Sequence, residues 1–147
     1  MIYIVLLNLS DSNFPPKVKW SNLSSIDLSA NLLGSLPLAL CELHSLTTLI
    51  LASNQIRSLP PEIGNLTALS SLDLSSNQMR ELPKTMGKLV KLKVLILNFN
   101  KLEEIPEEFA KMQQLTELQV RWNSLYEFPS TVTKIASLQV NSLFNTI

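Results

Sequence analysis

The sequence predicts an α/β solenoid, a coil of stacked rungs whose short strands line up as one parallel β-sheet on a concave face. Three observations predict it. Leucine supplies thirty of the 147 residues, an excess that normally signals a repeat. Asn31, Asn54, Asn77, Asn100 and Asn123 stand 23 residues apart without exception. Pro37, Pro60, Pro83, Pro106 and Pro129 keep the same interval.

Each unit opens with a strand. In Leu69-x-x-Leu72-x-Leu74-x-x-Asn77 the Leu-x-Leu step has period 2, so one strand face turns inward. Stacking identical units makes these strands a parallel sheet and sends the connecting segments to the opposite face. The chain must then turn sharply with its backbone amides buried. An Asn side chain in every rung can satisfy those amides, which predicts a ladder of five. The ladder Pro sets φ where the chain turns into the returning segment. After it, apolar residues three apart, as in Ile63, Leu66 and Leu69, predict a short helical turn on the convex side. The next unit repeats the scheme with Leu92, Leu95, Leu97, Asn100, Leu102, Ile105, Pro106, Phe109 and Met112.

Over residues 23–137, as five full repeats, these positions resemble the leucine-rich repeat proteins of the 23-residue class, which include the Ras suppressor and Scribble groups. The resemblance implies a right-handed leucine-rich repeat solenoid curved into a horseshoe. It also implies a non-catalytic scaffold that binds a protein partner on the concave sheet, such as a small GTPase or another intracellular signalling or polarity protein. The whole chain, 1–147, reads as one leucine-rich repeat domain. Residues 1–22 form a degenerate first rung, with Ile4, Leu7 and Leu9 aligned to Leu23, Ile26 and Leu28, Ser12 at the Asn position, and Pro15 and Pro16 out of register. Residues 138–147 form an incomplete last rung, in which Asn141 replaces a core Leu and Thr146 stands where Asn belongs. Neither end shows a cysteine-rich cap or a capping helix, and terminal rungs normally need a polar outer face. Self-association through uncapped ends is therefore one expectation, and continuation into a longer protein is another.

Composition narrows the function further. Twelve basic and twelve acidic side chains cancel, so no basic stripe points to nucleic acid. One cysteine cannot form an internal disulfide. The apolar N-terminal run Met1–Leu7 is too short to span a membrane and has no basic leader, which predicts no membrane association and a cytoplasmic location. Asn8, Asn22 and Asn65 fit the glycosylation triplet, but without a secretion signal they would not meet the enzyme. No nucleophile–base pair, metal cluster or phosphate loop emerges, so neither an enzyme nor a cofactor is expected.

Residues with reactive side chains fall into structural slots. Cys41 shares a small-residue position with Gly64, Gly87, Ala110 and Thr133, where it reads as a small packed apolar residue. His44 shares a slot with Thr67, Val90, Gln113 and Ala136, a position with no preferred chemistry and so at the surface. The acidic pairs Glu103-Glu104 and Glu107-Glu108 lie on outward segments beside Lys101 and Lys111, as a solvated flank would. Arg80 and Glu104 occupy neighbouring slots on successive rungs, an expected surface pair worth at most about 1 kcal/mol.

The strand residues that flank the core leucines carry the candidate site, since alternate side chains point to the concave face. The second to fourth rungs offer Ser25, Asp27 and Ser29, then Thr48, Ile50 and Ala52, then Ser71, Asp73 and Ser75. The fifth turns apolar with Val94, Ile96 and Asn98, and the sixth has Glu117, Gln119 and Arg121. At the rim stand Phe99 and Trp122, where earlier rungs have Ala30, Ser53 and Ser76. Strands lie about 4.8 Å apart, so the two rings should stack. Two readings of them fit the sequence equally. They anchor a partner, as aromatic residues beside Arg commonly do, or they cover a core that thins toward one end. Under the first reading the partner-binding set is Asp27, Ile50, Asp73, Val94, Ile96, Asn98, Phe99, Gln119, Arg121 and Trp122. As an alternative to the scaffold, these repeats would target substrate for a larger enzyme, such as a phosphatase, kinase or ubiquitin ligase.

Overall fold

A computed structural model of the chain describes residues 3–5, as backbone, together with 23–127 and 129–138. Six three-residue strands follow one another: β1 Tyr3–Val5, β2 Ser25–Asp27, β3 Thr48–Ile50, β4 Ser71–Asp73, β5 Val94–Ile96 and β6 Glu117–Gln119. They form one sheet in chain order, every neighbouring pair parallel. Ile26, Leu49, Leu72, Leu95 and Leu118 are in register across it, mid-strand and buried. A parallel sheet of such short strands holds only because a core residue in each rung sits over its counterpart in the next.

The returning segments are single 3₁₀ turns rather than α-helices: η1 Leu38–Glu42, η2 Pro61–Asn65, η3 Lys84–Lys88, η4 Glu107–Lys111 and η5 Ser130–Lys134. Each follows a ladder Pro, whose φ stays between −57° and −69°. A 3₁₀ turn has three residues per turn, so side chains three apart eclipse. That is why Ile63 and Leu66 fall on the same inward face, both fully buried. The turns also approach one another closely. A Cβ added to Gly64 would lie 2.6 Å from the Thr85 carbonyl oxygen, and one on Gly87 would lie 2.5 Å from that of Glu108. The small-residue slot is thus set by backbone contact between rungs.

The asparagine ladder does more than the sequence reading assigned to it. Asn77 Oδ1 accepts the Ile56 backbone N–H of the preceding rung at 2.9 Å. Its Nδ2 donates to the carbonyls of Leu51, Leu74 and Ser75 at 3.0, 3.1 and 3.1 Å. Asn54, Asn100 and Asn123 repeat this pattern. Each side chain satisfies one amide and, in addition, carbonyls on two rungs. Only a carboxamide has both a donor and an acceptor end of this size.

The first rung departs from the alignment expected for it. Ile4 pairs with Ile26, not with a position opposite Leu23, so β1 begins three residues earlier than the Ile4, Leu7, Leu9 alignment places it. Strand register is fixed by alternation of apolar and polar residues, and the nearly unbroken apolar run at the N-terminus has none to offer. Ser12, Pro15, Pro16, Asn141 and Thr146 lie outside the described residues.

Candidate functional site

Strand pairing brings the candidate side chains into columns. Asp27, Ile50, Asp73, Ile96 and Gln119 stand in consecutive register on β2 to β6, with Ser25, Thr48, Ser71, Val94 and Glu117 alongside. All are half-buried on the sheet surface except Ser25, which is buried. Their chemistry divides along the solenoid. Asp27 Oδ1 accepts the Ser29 N–H at 2.9 Å, and Asp73 Oδ1 accepts the Ser75 N–H at 2.9 Å and its hydroxyl at 2.7 Å. Farther on, Asn98 Nδ2 donates to Gln119 Oε1 at 2.6 Å, while Asn98 Oδ1 accepts the Arg121 N–H at 2.8 Å. Gln119 Nε2 in turn donates to Glu117 Oε1 at 2.5 Å. Of the polar candidates, Asn98 and Gln119 are thus held in an internal network that fixes the floor beside Phe99 and Trp122.

The aromatic pair stacks as expected, with ring centroids 5.9 Å apart and planes 9° from parallel. Phe99 is 55% and Trp122 57% exposed. More than half of each ring is therefore left to solvent. Their backbone supplies a signal that the sequence reading missed. Ala30, Ser53, Ser76, Phe99 and Trp122 all have positive φ, between 54° and 57°. The left-handed conformation costs roughly 1–2 kcal/mol for an L-residue, and is rare for bulky side chains. Rung-to-rung hydrogen bonds impose it: Ser76 N–H donates to Asn98 O, and Phe99 N–H to Arg121 O, both at 2.9 Å.

Other candidates of the sequence are placed away from this site. Cys41 is buried, and burial together with Glu62 and Glu42 pushes its thiol up to about 11, which makes it a poor nucleophile. His44 is exposed, its Nδ1 3.2 Å from the Asn65 carbonyl oxygen. The expected pairing of Arg80 with Glu104 does not form; the neighbouring flank instead brings Lys84 Nζ to 3.9 Å from Glu108 Oε1. A groove of about 770 Å³ runs along that flank past Arg57, Arg80, Glu81, Lys101, Glu103 and Tyr126. Glu103 beside Tyr126 raises the phenol's pKa through a hydrogen bond and its charge. Exposed side chains of both signs line the groove, whereas small-molecule sites are mostly apolar with few polar groups. Among the described residues no group of His, Cys, Asp and Glu could hold a metal ion, and no helix is long and apolar enough to cross a membrane.

The leucine-rich repeat region family matches residues 6–140. The chain belongs to the leucine-rich repeat family. Solved structures agree. InlP of Listeria monocytogenes is 33% identical, with a TM-score of 0.77 over 92% of this chain and 36% of its own. A leucine-rich repeat protein of Leptospira interrogans is 30% identical, with a TM-score of 0.65 over 85% of this chain and 38% of its own. The Listeria monocytogenes internalin InlF, 24% identical with a TM-score of 0.72 over 84% of this chain and 36% of its own, shares the fold. The leucine-rich repeat chain thus spans well under half the length of these structures. No match was found among curated proteins. Family membership and these likenesses support a protein-interaction module built from repeats.

Proposed function

We propose that this is a non-catalytic scaffold whose protein partner lies on the concave sheet, anchored toward β5 and β6 by Val94, Ile96, Phe99, Arg121 and Trp122. One observation carries the reading. Two large aromatic side chains occupy a left-handed position that the other described rungs fill with Ala or Ser, and they remain more than half exposed there. Backbone preference does not favour bulky side chains there, and more than half of each ring is left to solvent. An exposed stacked pair beside Arg121 supplies the anchors that dominate protein interfaces. Resemblance to the Ras suppressor and Scribble groups would make the partner a small GTPase or another signalling protein, and the site of action the cytoplasm.

The test compares proteins captured from the source cells by wild type, Trp122→Ala and Ile96→Asp, each checked for folding by circular dichroism. Loss of the same captured proteins by both variants is expected. Unchanged capture of every protein by folded variants would remove the concave surface from consideration.

A further inference from the structure

Building on that surface, we infer that the partner presents a basic and apolar peptide segment, with two cationic side chains seated on Asp27 and Asp73. The chain as a whole is neutral, but its concave columns are not. They hold three carboxylates, Asp27, Asp73 and Glu117, against one guanidinium, Arg121, and no lysine. The charge is also ordered. Down the middle of the sheet the register reads Asp27, Ile50, Asp73, Ile96 and Gln119, so each acid neighbours an isoleucine. Glu117 is engaged by Gln119. In Asp27 and Asp73 the intramolecular hydrogen bonds fall on Oδ1, and Oδ2 accepts from no described residue.

These two carboxylates are held in place by backbone amides but not neutralised, at the half-buried floor of a sheet. An opposite charge arriving there meets a pre-positioned acceptor, which lowers the ordering cost of binding. Two strand spacings separate the acids by about 9.6 Å. An extended polyproline II segment returns a side chain to the same face every three residues, about 9.3 Å along. The matching segment would have Arg or Lys three residues apart, with bulky apolar residues falling on Ile50, Val94 and Ile96. An acidic segment would face uncompensated repulsion at both aspartates.

Selection from a random phage-displayed peptide library on the full immobilised chain tests this. Peptides with paired Arg or Lys and apolar residues are expected to enrich. The peptide that binds best is then measured against Asp27→Asn/Asp73→Asn, which keeps the Oδ1 acceptors and removes the charge. Affinity is expected to fall about tenfold, two pairs of roughly 0.7 kcal/mol each, and the salt dependence of binding to weaken with it. Enriched peptides that lack basic residues would overturn the inference. So would peptides weakened by Trp122→Ala or Ile96→Asp but unaffected by the double Asn variant; in that outcome the concave site stands without its acidic component. If no peptide enriches, or none responds to any of these variants, both the inference and the underlying surface fall.

Discussion

Two columns of residues lie side by side at the turn that ends each strand, and they behave in opposite ways. In the described rungs one is Asn throughout, at 31, 54, 77, 100 and 123; the residue before it is Ala, Ser, Ser, Phe and Trp. Both are constrained by the same turn. The Asn column must supply a donor and an acceptor to buried backbone groups on two rungs, and no other side chain of that size has both. The column before it must adopt positive φ, a demand on the backbone and not on what the side chain reaches. A constraint on chemistry fixes the residue. A constraint on conformation leaves the side chain free to serve another purpose at modest cost.

Replacing Asn77 by Ala gives the largest expected effect. It leaves the Ile56 amide without its partner, while the Leu51 and Leu74 carbonyls each lose one bond and keep that from Asn54 or Asn100. One unsatisfied buried amide at about 1–3 kcal/mol and two lost hydrogen bonds at about 0.5–1.5 kcal/mol each should cost about 2–5 kcal/mol in urea unfolding. Asn123 is only half-buried, so Asn123→Ala should cost less. Equal losses at the two sites would show that burial does not set the worth of the ladder.

Gly87→Ala comes next. Its Cβ would meet the Glu108 carbonyl oxygen at 2.5 Å, and separating the turns should cost about 1–3 kcal/mol, read as a lowered thermal midpoint. This extends the comparison to a third column, where the constraint is backbone approach.

Trp122→Gly should have the smallest effect on stability. Relief of the left-handed backbone, about 1–2 kcal/mol, opposes loss of a stacked pair worth about 0.5–1.5 kcal/mol. The net change in urea unfolding should stay within about 1 kcal/mol. A loss above about 3 kcal/mol would make the aromatic column structural and erase its contrast with the Asn column.

The parts of the molecule legible in the sequence are those that recur. The Leu positions, the Asn and Pro intervals and the small-residue slot each appear in several rungs, so a position's physical role can be inferred from its tolerated residues. The stacking of Phe99 on Trp122 was legible for the same reason, since one slot on adjacent rungs fixes the spacing. What escaped the pattern depends on single rungs. The partnership of Asn98 with Gln119, and the approach of Lys84 to Glu108 where Arg80 and Glu104 were expected, turn on how individual side chains lean. Positive φ escaped because Ala and Ser do not advertise it as Gly or Asn would. The register of β1 escaped because apolar residues at nearly every position match the core equally well in more than one alignment.

The hydrogen bonds of the asparagine ladder also have a direction. Leu33, Ile56, Met79 and Leu102 each give their backbone N–H to an Asn 21 residues later in the chain, never to one earlier. A rung leaving the ribosome therefore has its turn amide unmet until most of the next rung has been made. Folding during synthesis, which proceeds from the N-terminus, must trail elongation by about one repeat, and each newly made Asn locks the turn synthesised before it.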